Sequence, residues 1–220
     1  MTAVAWVFGL FGLVSLLLAV SQLAADRRLA AAGHAALGAL LIGAAMVTGV
    51  LAADLASYQP REGDRPIAEL YLEQVCTRRY RATLTRLPGG RMQVFELAGD
   101  AWRVDARTLD FGGWARAIGG RPEYRLERLV AIERPTTDAT PSPPGGFALD
   151  PRDGFDLWQW SRHSGRWGEL VRAGDARSDE LPMSGKSRFE LRLDGQRIDV
   201  RASSDVAEDR VAAETAAPAR

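Results

Sequence analysis

Tryptophan and arginine carry the most distinctive chemistry in this sequence. Five of the six Trp, namely Trp102, Trp114, Trp158, Trp160 and Trp167, lie in its polar part, and the last three fall within ten residues. On a helix, residues two apart point about 160° from each other, so Trp158 and Trp160 do not both face one core. One of them is expected at the surface, near Arg162 and Arg166. Exposed indole beside guanidinium suits a protein–protein hot spot, a lipid interface or a carbohydrate platform. Trp158, Trp160, Arg162 and Trp167 are therefore the candidate binding residues. The plainer alternative buries both indoles of the close pair between the sheet and membrane-proximal layers.

The other candidate chemistries are thinner. Ser184-Gly185-Lys186-Ser187 resembles the end of a phosphate loop, but position 180 is Glu where that motif needs Gly. A strand pattern follows it, and without a helix there is no cradle of amides for phosphates. Nucleophilic catalysis would rest on Cys76, next to Thr77-Arg78-Arg79, or on a Ser served by His163. Neighbouring Arg favours a thiolate, whereas a lone Cys more commonly fills a small core position. No Gly-x-Ser-x-Gly elbow occurs. Such an enzyme needs His163 or Cys76 in a pocket beside carboxylates, and a surface position for both counts against it. Asp150/Asp153 and Asp179/Glu180 read as helix caps and loop charge rather than as metal or acid–base pairs. One Cys and two His make neither a disulfide framework nor a zinc cluster. No catalytic residue, metal site or cofactor is expected.

These residues must be positioned by a chain of two unlike parts. With 28 basic and 28 acidic residues the net charge is zero, which argues against nucleic acid as a partner. Before residue 54 only Asp26, Arg27 and Arg28 are charged. The apolar stretches, about 3–25 and 29–53, read as a transmembrane helical hairpin. Twenty-five residues at about 1.5 Å each cover roughly 37 Å, enough for a hydrocarbon core of about 30 Å. No basic residue precedes the first stretch, which is also too long for a signal peptide, so it reads as a retained anchor. The second stretch is more than half Ala and Gly, and Ala35, Ala39 and Gly43 recur every four residues. Small residues at that spacing let helix backbones approach, so this row is the candidate for helix packing and for a homo-oligomer. His34 lies near the headgroup level and reads as an interfacial residue. Two Arg in the hairpin loop place that loop in the cytoplasm and both termini outside. The 27 Arg against one Lys fit a GC-rich bacterial genome. The expected location is the bacterial inner membrane, with a periplasmic soluble domain.

After a linker at 54–66, residues 67–202 read as one β-rich domain. Ile67–Val75, Tyr80–Leu87, Met92–Leu97 and Trp102–Phe111 alternate like strands between short turns, which implies an antiparallel meander. Gly113–Ile118 is a candidate helical turn. Glu123–Glu133 reads as a strand, with helix as the alternative because Leu126, Leu129 and Ile132 repeat every three. A Pro-rich loop spans 135–146, and Gly154–Ser164 is the candidate helix, capped by Asp150 or Asp153. Gly165–Pro182 reads as irregular, with a short strand around Leu170. Arg188–Leu193 and Gln196–Ala202 flank Asp194-Gly195, a hairpin turn signal. Phe189, Leu191 and Leu193 should face the core, with Ile198 and Val200 opposite. Residues 203–220 offer little apolar surface and read as a disordered tail. The fold class is thus membrane-anchored α+β, a two-helix hairpin followed by a mainly antiparallel β domain with one or two short helices.

The apolar hairpin followed by Tyr58-Gln59-Pro60, Pro66-Ile67-Ala68-Glu69-Leu70, Tyr124–Leu129, Gly154–Trp158 and Leu181-Pro182-Met183 resembles small proteobacterial membrane proteins labelled "cation/multidrug efflux pump" or "multidrug transporter". That label brings no residue roles with it. Two helices without paired charges make no translocation pathway alone. The leading expectation is a two-pass inner-membrane protein whose periplasmic β domain acts as a binding or scaffold module in the envelope, with another membrane or envelope protein as a candidate partner. The alternatives are an accessory or small homo-oligomeric component of a transport system, and then a membrane-anchored enzyme. The lipid bilayer is a partner in every case.

Overall fold

The computed structural model describes residues 2–117, 120–133, 145–151, 153–165 and 170–203. The chain divides into two compact units. One is Met1–Tyr58 with Gly154–Leu157, and the other is Gln59–Asp153 with Trp158–Arg220.

Two helices, α1 (Thr2–Ala24) and α2 (Arg28–Leu55), dominate the first unit. Both are long and apolar enough to cross a membrane. Their outer faces leave Leu10, Phe11, Leu17, Leu40 and Val47 exposed, which water would penalise and lipid would not. Asp26 turns the chain between them with a positive φ of 58°. The helices meet at two glycines. A Cβ on Gly38 would stand 2.7 Å from Leu16 Cγ and 3.0 Å from the Gly12 carbonyl oxygen. A Cβ on Gly12 would stand 2.8 Å from Ile42 Cγ1. The Ser15 hydroxyl donates to the His34 carbonyl at 2.9 Å, a polar link between the helices. Buried Ala31, Gly38 and Ala52, with Ala45 facing Gly9, define the α2 side of this seam. These positions recur every seven residues, as in a coiled-coil seam, and not every four. Ala35, Ala39 and Gly43 are exposed, and a Cβ on Gly43 would meet nothing within 4 Å. The four-residue row is thus not what packs α2 on α1, because a row at that spacing winds away from a seven-residue seam.

The second unit is a curled sheet built from β1 (Gln59–Pro60), β2 (Pro66–Cys76), β3 (Arg79–Arg86), β4 (Arg91–Ala98), β5 (Ala101–Phe111), β6 (Glu123–Ile132), β7 (Gly145–Ala148), β8 (Val171–Ser178), β9 (Leu181–Pro182), β10 (Ser187–Asp194) and β11 (Arg197–Ala202). Its order is β1-β6-β5-β8-β11-β10-β2-β3-β4, with β7 on β6 and β9 on β5. All pairs are antiparallel except β11 with β8. A short helix, α3 (Gly113–Ala117), follows β5, and α4 (Leu157–His163) precedes β8. The fold class is therefore an apolar helical pair followed by a mostly antiparallel sheet with short helices.

The strand alternation 67–111 forms the expected strands, yet the meander stops after β4. Instead of pairing with β4, β5 pairs with β6, β8 and β9. The corner is Gly99, at φ 152°, where a Cβ would lie 2.7 Å from the Ile132 carbonyl oxygen. Only glycine lets the chain pass so close to β6 and start a new strand there. The segment 123–133 is a strand and not the alternative helix. The segment expected to be irregular holds an eight-residue strand, β8, in the middle of the sheet. Its sequence, VRAGDARS, has little apolar character, so nothing marked it as central. Asp194 pairs with Arg197, so the hairpin loop is Gly195-Gln196 and lies one residue later than the Asp-Gly signal placed it. Gly195 has φ 59° at the first loop position, the place where a type II′ turn needs a left-handed residue. Partners shift by two along β11, and a shift of two keeps every side chain on its face. Phe189, Leu191, Leu193 and Ile198 are accordingly buried, with Val200 packed against them.

Leu70, Leu84, Trp102, Leu129, Phe189 and Leu191 lie at the centre of the core. The free edge of β4 approaches β7, where Phe95 and Phe147 stand 5.4 Å apart. Arg86 and Gln93 both donate to the Leu149 carbonyl oxygen, at 2.7 and 3.0 Å, and tie that edge to the chain after β7. Residues 134–144 and 204–220, most of the Pro-rich loop and nearly all of the tail, lie outside the described residues.

One buried carboxylate ties this domain to pH. Glu123 Oε2 is shielded from solvent without a hydrogen-bond partner among the described residues, and burial raises its pKa above 4.5. The folded protein therefore holds this proton more tightly than the unfolded chain. The stability that this group contributes is fully present below about pH 4.5 and is lost as pH rises through the window up to the folded value. Glu123→Gln removes that loss. In thermal unfolding of the full chain, the variant should gain on the wild type between pH 4 and pH 7, and an unchanged difference would refute the assignment.

Candidate functional site

Three neighbouring strands, β6, β5 and β8, set one charged row beside another on their outer face. On β5 the charges alternate as Arg103, Asp105 and Arg107, so all three point the same way. Arg107 is opposite Arg125 on β6 and Asp175 on β8, while Asp105 is opposite Arg128 and Arg177. The β5–β6 register shifts between Asp105 and Ala106, which leaves Glu127 without a partner in the ladder. Its carboxylate takes Arg107 in a forked pair, with Nε to Oε2 at 2.6 Å and Nη2 to Oε1 at 2.5 Å.

Helix α4 lies on β8. It starts at Leu157, three residues later than the pattern from Gly154 predicts. Asp54, near the end of α2, accepts from the Leu157 amide at 3.0 Å. A cap drawn from a hundred residues upstream leaves no local signal. Trp158, Ser161 and Arg162 share the face toward β8, as positions i, i+3 and i+4 do on a helix. The Trp158 indole donates to the Gly174 carbonyl oxygen at 2.9 Å, and the Ser161 hydroxyl to that of Val171. Arg162 pairs with Asp175 at 2.8 Å. The Trp158 ring receives both guanidiniums, with Arg107 Cζ 4.3 Å and Arg162 Cζ 4.8 Å from its centroid. Each such contact is worth about 0.5–2 kcal/mol.

Between this ring and the strand charges lies a cleft of about 260 Å³. Trp158 and Arg162 both line it. Trp160 does not: it is 40% exposed and turned away, as two steps along a helix require. Trp167 lies outside the described residues. The strand residues of the cleft, Asp105, Arg107, Glu127, Arg128, Asp175 and Arg177, escaped sequence reasoning because partners as distant in sequence as Asp105 and Arg177 meet only through sheet order. The period-two run of charge on β5 was the one available sign of a polar working face.

The other candidates are dispersed. Cys76 is exposed at the end of β2, in a shallow depression that Lys186 and Gln74 share. His163 is exposed at the end of α4, its Nδ1 2.7 Å from the Gln159 carbonyl oxygen. Ser184 and Ser187 are buried, with the Ser184 hydroxyl donating to that of Ser187, and β10 follows where a phosphate loop would need a helix. Among the described residues no group of three His, Cys, Asp or Glu could hold a metal ion. Comparisons with protein-family models, curated proteins and solved structures give no match for this chain.

Proposed function

We propose that this chain is a two-pass bacterial inner-membrane protein whose β domain stands in the periplasm and binds a partner or ligand through the cleft beside α4. The observation that carries the reading is the Trp158 ring held by Arg107 and Arg162, each Arg being paired in turn with a carboxylate. Side chains already fixed by neighbours lose little freedom on binding, and Trp with Arg is the composition in which binding energy concentrates. The two apolar helices support the anchoring half of the reading, and Arg27 and Arg28 between them support the orientation.

Paired topology reporters fused after Ala202 test the orientation. A signal from the periplasmic reporter is expected, and one from the cytoplasmic reporter alone overturns it. A photoreactive residue at position 162, compared with one at exposed Val94 on β4, tests the site. A discrete adduct from 162 that is absent from 94 and lost with Trp158→Ala supports the cleft as the binding surface. No adduct from 162 removes the proposal.

A further inference from the structure

We infer that Phe155 docks into the headgroup layer of the bilayer, as an attachment separate from the two apolar helices; this rests on α1 and α2 crossing that bilayer as proposed above. Gly154–Leu157 belongs to the same compact unit as the helices. Gly154 turns the chain at φ 121°, a value that glycine adopts without strain and other residues do not. Further along, the Leu157 amide donates to the Asp54 carboxylate at 3.0 Å. Asp54 and Leu157 are both buried, so the segment is fastened to the last turn of α2. Phe155 lies between the turn and this bond, and it is 42% exposed.

The height of this segment follows from the helices. From Arg28 to Asp54, α2 is about 39 Å long at about 1.5 Å per residue. A bilayer with its headgroups is about 40–45 Å thick. With Arg28 in one headgroup layer, Asp54 therefore stands in the other. Trp6 marks that same side. It is 79% exposed on α1, and because Gly9 faces Ala45 it stands near the height of Thr48. An outward Trp there belongs to the aromatic belt that borders the hydrocarbon. Phe155 is two residues from Leu157, so its Cα is within about 7 Å of the Leu157 Cα. Its ring is accordingly within reach of the lipid headgroups.

An exposed phenyl ring at that depth gains by turning into the boundary between headgroup and acyl chain, where interfacial anchors bury their apolar side. Asp153 and Asp156 flank it, and their charge repels an anionic surface. The partner that fits is therefore a zwitterionic lipid surface. A ring held there restrains the segment that leads into α4.

The test uses the full chain in phosphatidylcholine vesicles with Cys76→Ser as background, so that one introduced cysteine carries a polarity-sensitive nitrobenzoxadiazole label. Phe155→Cys is compared with Val7→Cys on α1 and with Val94→Cys on β4, all three positions being exposed. Part of the lipid carries a nitroxide near the headgroup end of its acyl chain. The label at 155 should emit to the blue of the label at 94, and the nitroxide should quench it about twofold more strongly or better. Asp54→Ala removes the acceptor and should bring the 155 label toward the behaviour at 94, whereas Asp54→Asn keeps an acceptor and should not. Quenching that Asp54→Ala leaves unchanged overturns Asp54 as the tether. Quenching at 155 no greater than at 94 overturns the inference, and so does blue emission without quenching, which means that protein covers the site. If the label at 7 is quenched in that case, the helices are in lipid and only the Phe155 contact is wrong. If the label at 7 is also unquenched, both fail.

Discussion

Trp102→Ala should destabilise the β domain by about 3–5 kcal/mol, the range for removing a large aromatic from a packed core. Trp102 has no exposed surface and stands 5.0 Å from Phe189, ring centre to ring centre, tilted by 58°. It is opposite Ala131 on β6 and Leu181 on β9, so the cavity would open where three strands converge. In the full chain in detergent, far-ultraviolet circular dichroism should show the β transition falling by on the order of 10 °C. Trp102→Phe separates packing from polarity. The indole Nε1 is buried with no hydrogen-bond partner among the described residues, so the native residue already carries an unsatisfied donor. Phenylalanine loses volume but also loses that liability, and its cost should be well under half that of alanine. A Trp102→Ala protein that melts with the wild type would place Trp102 outside the core.

Gly38→Ile should separate the two membrane helices, whereas Gly43→Ile should leave them packed. At 38 a Cβ would collide with Leu16 at 2.7 Å and approach the Gly12 carbonyl oxygen at 3.0 Å, and backbone cannot swing aside as a side-chain tip can. At 43 it would meet nothing within 4 Å. Close packing is what holds helices together where lipid offers no hydrophobic drive. The readout is an engineered disulfide. An ideal Cβ on Gly9 lies 3.9 Å from the Ala45 Cβ, close to the mean of about 3.8 Å in native disulfides. With Cys76→Ser as background, Gly9→Cys/Ala45→Cys should oxidise almost completely. Gly38→Ile should reduce that to a trace, and Gly43→Ile should leave it unchanged. Loss of the bridge with Gly43→Ile and its retention with Gly38→Ile would reverse the assignment of the seam.

The sequence showed that small residues matter in α2, but the row it singled out, Ala35, Ala39 and Gly43, is exposed and does not pack on α1. A four-residue spacing and a seven-residue spacing coexist in a helix so rich in Ala and Gly, and only the partner helix selects between them. The binding surface was half legible for a comparable reason. Trp158 and Arg162 belong together because they are one turn apart on α4. Trp160 shares their neighbourhood in sequence and not their face, and the residues that complete the cleft come from three strands.

From its own residues this sequence determined the features that depend on neighbours a few positions apart. Uncharged runs made the two apolar helices, period-two alternation made β2 to β6, and an alternating pair around Asp194-Gly195 made the last hairpin with its buried Phe189, Leu191 and Ile198. Tertiary structure alone decided which strands lie side by side. β8 is a strand because β5 and β11 pair with it on both sides, although its own residues have little strand preference. Asp54 caps α4 and Glu127 clamps Arg107 because the folded chain brings them within hydrogen-bond reach. Local pattern follows from side-chain periodicity, which the sequence writes directly. Strand order and the cleft follow from pairings between distant segments, whose energies are settled only when the whole sheet forms.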